Sequence, residues 1–435
     1  MLQRMNTITI FAPHDSPRLR YILHWIFEDC LNLSYVITRR PADDAHIAYG
    51  TGGRAAVTVP DEGLLWQSGV PQYAPHFQEG GVKAGIFAFD VFSAAFYHLT
   101  RCEEYAPFIP DKHGRFPHTA SILGEHGFLD RPIVDAWVER LRIALVNHCG
   151  LAISKPVFRF QPTYDIDIAY AYHHKGLKRT LGGLIRDAQA RKFVAVRERI
   201  RVLGSGHQDP YDAYAFLQSL HAKHRLKPNY FFLAAQHPTT WDKNIPPTHP
   251  AFRSLVQEVA MQGEVGMHPS YFSFDKETLI AEEKLLIERA VGKPIFYSRQ
   301  HYIRLRFPQT YRALIAAGVS EDWSMGYPDA AGFRAGTSQS FLWYDLEREE
   351  QTVLRVHPFS FMDVTARDYQ RWSLEDAFEN LRAQRKTLQA MGGVLTTVFH
   401  NFSLGSAEDW KGWKKAYETF VAETSSSERA GLTSE

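Results

Sequence analysis

Cysteine is scarce in this chain: Cys30, Cys102 and Cys149 are the only three in 435 residues, widely spaced and without a CxxC pair. That pattern argues against a disulfide framework and against a cysteine-based zinc site. Excess charge of either sign is also lacking, since 49 Lys and Arg stand against 48 Asp and Glu, a formal +1. No global field gathers nucleic acid or an anionic membrane, and nucleic acid is not expected as a partner. The basic stretch 175–201 reads as a solvated helix face, with a contact surface as the alternative. No apolar run reaches the length of a membrane span, and residues 1–10 lack the charged region, apolar core and cleavage site of a secretory leader. The expectation is a cytoplasmic protein, which favours a substrate made inside the cell.

What is present suits a folded protein of ordinary composition, 45% apolar and 22% charged, able to build a core without metal or disulfide staples. The length fits two domains. Short strands over 7–11, 35–38, 46–48 and 56–59, with helices over 18–31, 90–99 and 132–146, predict a small α/β domain over 1–150. From 155 onward strands and helices alternate as in a parallel α/β fold: strands over 230–233, 264–268 and 353–357, helices over 248–262, 278–290, 309–317 and 374–391. This second domain is placed at 155–405. Residues 406–435 read as a C-terminal helix and a tail, and the Ser-, Thr- and Glu-rich stretch 423–435 is expected to be disordered.

The chemistry gathers at predicted strand ends. Thr163-Tyr164-Asp165-Ile166-Asp167 closes an extended stretch, and residues i and i+2 of a strand share a face, so two carboxylates come side by side. Gly266-Met267-His268-Pro269-Ser270 offers an imidazole after an apolar step. Arg299-Gln300-His301-Tyr302 adds a cation, an imidazole and a phenol, and the run 394–399 ends on His400. Four strand ends that each close on a polar group predict a site at one rim of a barrel.

In these motifs the chain resembles the NodB-like polysaccharide deacetylases, carbohydrate esterase family 4, over 155–405. The family's TFDDG is matched by TYDID, its HSxxH by His268-Pro269-Ser270-Tyr271-Phe272 with Phe at the second His, and its RxPY by Arg299-Gln300-His301-Tyr302 with His in place of Pro. Phe399-His400 matches the last motif. The chain is also similar to a bacterial subgroup that reads GxHPSY, RQHY and GFRAGT in succession, the last here over 332–337. The resemblance implies a NodB-type distorted (β/α) barrel preceded by a smaller α/β domain. It implies a hydrolase that removes an acyl group, acetyl first, from an N-acylated sugar with the help of a divalent metal, zinc first. Asp165 would be the base and Arg299 its cationic partner, while Tyr302 would lie near the developing oxyanion. His400 would be the acid, tuned by Asp322 or, second, by Asp329. Asp167 and His268 would bind the metal, and His301 would replace the ligand lost at Phe272, its alternative role being contact with substrate. Tyr271, Trp323 and Arg334 are the expected substrate contacts, Arg334 with an equal alternative as an ion pair within the fold. His357, Asp363, His173, His174, Asp242 and Asn244 read as structural or solvent-facing.

Two other functions stay open at this stage. One is a carbohydrate-binding protein on the same scaffold, in which Phe272 marks the loss of the metal. The other is hydrolysis of a different C–N bond in a small metabolite.

Overall fold

The computed structural model describes residues 7–41, 45–79, 82–83 and 85–432. Its first sheet contains β1 (Thr7–Phe11), β2 (Ser34–Thr38), β3 (Ala45–Tyr49), β4 (Ala55–Val59), β5 (Val82–Lys83) and β6 (Ile86–Phe87), in the order β2-β1-β3-β4-β6-β5. Its pairs are parallel except β5 with β6. Helices Val91–Leu99 and Ile133–Cys149 follow it.

The second sheet holds β7 (Arg159–Ile166), β8 (Asn229–Leu233), β9 (Glu264–His268), β10 (Tyr297–Ser298), β11 (Glu321–Met325), β12 (Phe341–Asp345), β13 (Glu350–Pro358), β14 (Phe361–Met362) and β15 (Val394–His400). Their order is β12-β13-β11-β10-β9-β8-β7-β15-β14, with β12 and β13 the antiparallel pair. The α/β class and the arrangement of a large parallel sheet preceded by a smaller α/β unit agree with the expectation. β8 is Asn-Tyr-Phe-Phe-Leu, buried throughout, as befits a strand covered on both faces. Gly266 lets β9 run between its neighbours, because a Cβ there would stand 2.7 Å from the Tyr297 carbonyl and 2.8 Å from the Phe231 ring. The helix Leu374–Met391 spans its expected range and stops at Gly392, whose φ is 74°, and it starts at a capping box of Ser373 and Asp376.

Register places the chemistry. His400 of β15 lies opposite Asp165 of β7, Leu233 of β8 opposite His268 of β9, and Met267 opposite Ser298 of β10. The carboxyl ends of five adjacent strands and the loops they enter therefore meet at one rim, where open α/β sheets bind ligands.

The apolar core runs without a break from the first sheet to the second. Polar bonds tie the same seam: Asp135 accepts from the Ser338 backbone N–H at 3.0 Å, and Arg18 pairs with Glu349 at 2.5 Å. One expectation fails at the C-terminus, where a helix spans Trp413–Leu432 through much of the stretch predicted to be disordered. Tyr417, Phe420 and Val421 are buried in the core and dock this helix, and tertiary packing of one face outweighs the polar composition beyond it. Residues 1–6, part of the stretch read for a leader, and 433–435 of the expected tail lie outside the described residues.

Candidate active site

Three imidazoles converge on Asp167. His268 Nε2 lies 3.1 Å from Oδ1, while His301 Nε2 and His400 Nε2 lie 3.4 and 3.5 Å from Oδ2. Each ring is fixed from behind through Nδ1. His268 Nδ1 meets the Arg299 carbonyl at 2.5 Å, His301 Nδ1 meets Asp242 Oδ1 at 3.0 Å, and His400 Nδ1 meets Asp363 Oδ1 at 2.7 Å. A carbonyl or ionised carboxylate only accepts, so Nδ1 carries the proton and Nε2 of the neutral ring turns a lone pair inward. Metal-binding histidines are held in this way. Donor atoms of Asp167, His268 and His301 all lie within 4.8 Å of one another. Asp167 Oδ1 is buried without a hydrogen-bond partner, which leaves a carboxylate oxygen for a cation. One carboxylate and two imidazoles suit zinc or a similar divalent ion, so the residues fit a metal.

The electrostatics follow from burial and charge. Burial alone would raise the Asp167 pKa, but His301 and His268 outweigh it and hold the carboxyl well below its usual range. Burial alone would lower His301, yet Asp167 and Asp242 raise it to about 9. His400 is likewise raised to about 9 against its burial, chiefly by Asp363 and then by Asp167 and Asp165. Beside this cluster Asp165 Oδ1 takes a hydrogen bond from Arg299 at 2.8 Å, and its Oδ2 stands 3.9 Å from His268 Nε2. Arg299 is fully buried, donates through Nε to the Trp323 carbonyl at 2.8 Å and lies 4.4 Å over the Phe231 ring.

The structure thus brings Asp165, Asp167, His268, Arg299, His301 and His400 together with Tyr302, which lines the same cavity of about 500 Å³. Tyr302 and Ile303 adopt φ of 59° and 55°, a conformation that costs a non-glycine residue on the order of 1 kcal/mol or more and clusters at functional sites.

Other expected site residues lie elsewhere. Asp322 does not touch His400: it accepts from Tyr311 Oη, the Ser324 N–H and Ser324 Oγ at 3.1, 3.0 and 2.8 Å. The reason is topological, because β10, β9, β8 and β7 stand between β11 and β15. Asp329, the second choice, pairs instead with His118 at 2.8 Å. Asp363 takes the place next to His400, immediately after β14, the hydrogen-bonded neighbour of β15. Arg334 belongs to the fold, buried against Glu104 and the Gly326 carbonyl at 2.8 and 3.1 Å. Trp323 stacks on His357, with ring centroids 3.9 Å apart, in a cavity by the first residues of β7 and β15. Tyr271 stands behind the site wall, stacked on Trp241 with its hydroxyl 3.0 Å from His113 Nδ1.

Asp242 and Asp363, read from sequence as structural or solvent-facing, are the residues that orient His301 and His400. Asp363 carried a signal that could have found it, an apolar strand pair followed by a carboxylate, the pattern used for the other strand ends. Asp242 lies in an irregular loop and carried none. Unforeseen too is the part of the first region, since Lys112, His113 and Arg115 line the cavity and Arg115 donates to the Tyr302 carbonyl at 2.9 Å.

Residues 8–149 match the model of a family of unknown function, DUF7033. No curated protein matches the chain. Among solved structures, a Mycobacterium smegmatis protein assigned as a polysaccharide deacetylase is similar at 13% identity and a TM-score of 0.41, over 62% of this chain and 85% of that one. A polysaccharide deacetylase of Bacillus cereus is similar at 13% identity and a TM-score of 0.30, over 62% and 88%. An allantoinase gives 12%, 0.37, 62% and 84%. At these scores none of the likenesses bears on what the residues do, and the fold rests on its own strand order.

Proposed function

We propose that the chain is a metal-dependent hydrolase that removes an acyl group, acetyl first, from an N-acylated sugar. The observation that carries this reading is the convergence of Asp167, His268 and His301 donor atoms within 4.8 Å, beside a carboxylate on one side and an imidazole on the other. Asp167, His268 and His301 would hold the divalent ion, zinc first. When bound, such an ion polarises an acyl carbonyl and acidifies water.

The protein's own groups divide the remaining work. Asp165, steadied by Arg299, takes a proton from the attacking water. The water oxygen bonds to the acyl carbon, and the backbone at Tyr302 faces the charge that develops on the acyl oxygen. His400, held protonated by Asp363, gives its proton to the sugar nitrogen as the C–N bond breaks, leaving an amine and a carboxylic acid. Lys112, His113, Arg115 and Trp241 on the cavity wall would contact the sugar. The motif resemblance over 155–405 supports the choice of an N-acyl sugar over other amides.

The test is metal analysis of the purified protein together with acid release from N-acetylated mono- and oligosaccharides. Bound divalent metal and acetate release that Asp165→Asn abolishes are expected. Sugar binding without metal and without release would favour a binding protein, and release only from small non-sugar amides would move the substrate class.

A further inference from the structure

The helices Gly176–Gln189 and Phe193–Ser205 form a hairpin whose amphipathic sense is reversed. A surface helix in water turns its apolar stripe to the core. Here the buried contacts are chiefly polar, with Val202 the one aliphatic side chain of the two helices that is buried. Arg199 is buried, pairs with Asp187 at 2.6 Å and lies 4.6 Å over the Tyr172 ring, whose hydroxyl donates to Glu198 at 2.8 Å. Gly183 makes room for that guanidinium, since a Cβ there would stand 2.7 Å from it. Arg179 donates to the Lys243 and Asn244 carbonyls at 2.7 and 3.1 Å. The outward side carries Leu177, Leu181 and Ile185, one helical stripe, and Ile200, while Phe193 and Val194 border the cavity that the hairpin walls; each of the six is between 52% and 86% exposed.

Charge follows the same face. Residues 175–205 contain nine Lys and Arg against Asp187 and Glu198, a formal +7 in a chain whose total is +1. Among the described residues, no ion pair engages Lys178, Arg186, Arg191, Lys192, Arg197 or Arg201. From this we infer that the outward face of the hairpin docks the protein on an anionic membrane surface. Aliphatic side chains enter the interface of acyl chains and headgroups while the neighbouring cations meet acidic headgroups. A nucleic acid would pair with the cations and leave the aliphatic stripe in water. A second copy presenting the same face would set these six cations against six more, and like charges across an interface are penalised. Attachment is peripheral, for no helix among the described residues is long and apolar enough to cross a membrane. The hairpin also walls a cavity of about 1150 Å³ that shares Ile168 and Lys243 with the active-site cavity, so the docking element adjoins the site.

The experiment is flotation of the full chain with vesicles of phosphatidylcholine alone and of phosphatidylcholine mixed with phosphatidylglycerol. Binding to the mixture alone is expected, weakening as salt rises. A Leu181→Glu, Ile185→Glu, Val194→Glu variant should partition about 1000-fold less, each of the three aliphatic side chains being worth roughly tenfold, with unchanged circular dichroism and metal content. Lys192→Glu with Arg197→Glu should remove the preference for the anionic lipid. Wild-type protein that does not float with anionic vesicles, or an apolar-face variant that floats equally well, overturns the inference. So does a wild-type dimer that the same variant converts to monomer without any vesicle binding, or binding of nucleic acid alone. Vesicle binding is read without substrate, so it stands or falls apart from the hydrolase reading.

Discussion

Asp363 holds His400 at two points, accepting its backbone N–H through Oδ2 and facing its ring Nδ1 with Oδ1, both at 2.7 Å. The grip both aims Nε2 at the site and, with Asp167 and Asp165, raises the imidazole pKa to about 9 against its burial. An acid works while protonated, and its contribution is lost as pH rises through its pKa. Asp363→Asn keeps an acceptor but removes the charge, so the alkaline fall of the rate should move to lower pH. His400→Ala should lower turnover by about 100-fold to 10,000-fold, the usual worth of a positioned acid, with metal content unchanged. A pH–rate profile of Asp363→Asn that overlays wild type would remove Asp363 from this role.

Metal affinity should depend on pH through His301. In the metal-free protein Asp167 and Asp242 outweigh burial and keep His301 protonated up to about 9. Nε2 must lose that proton before it can donate to a cation. Affinity should therefore rise with pH below about 9, by about tenfold per pH unit for a single released proton. Calorimetric titration with zinc over about pH 6 to 8, in two buffers of different ionisation enthalpy, reads both the slope and the proton. Affinity that stays flat over that range would show that His301 does not donate to the ion.

The strand ends were legible because strand chemistry is local. Asp165 closes an extended stretch, His268 and His400 each follow apolar residues, and parallel pairing then brings such ends to one rim. His301 was found by elimination inside a motif, and the structure seats it 3.4 Å from Asp167. The residues behind the histidines were not legible, since which carboxylate reaches His400 depends on strand order: Asp322 lies on β11, far across the sheet, and Asp363 is one strand away. Arg334 shows the same limit, because a buried partner 230 positions earlier, Glu104, decides its role. The reversed hairpin was seen only as a basic helix face, as sequence shows amphipathicity without showing which side meets the body.

Arg334 should matter for stability and not for chemistry. It and Arg101 both bond Glu104, each side chain buried. Burial would raise the Glu104 pKa, but the two arginines hold it below its usual value. Removing one partner of a buried pair typically costs about 3–5 kcal/mol. Arg334→Ala should lower the denaturation midpoint accordingly, while the folded fraction keeps its metal stoichiometry and turnover per folded molecule. Loss of turnover at full stability would return Arg334 to the substrate.

The third metal position separates the readings of this site most sharply. Phe272, where the resembled family has a histidine, is 44% exposed and packs edge-on against Tyr271, outside the cluster around Asp167. His301 lies inside it, with Nδ1 on Asp242 and Nε2 toward Asp167. His301→Ala should weaken metal affinity by roughly tenfold or more, and Asp242→Asn by about 10-fold to 100-fold, because an outer partner fixes the tautomer of the ring it holds. Adding Phe272→His to His301→Ala should restore nothing, since an imidazole on that exposed turn does not reach Asp167. Competition with a chromogenic chelator measures all three proteins. Tight binding by His301→Ala would assign His301 to the substrate, and rescue by Phe272→His would show that the turn Tyr271–Phe274 can move its second residue into the site.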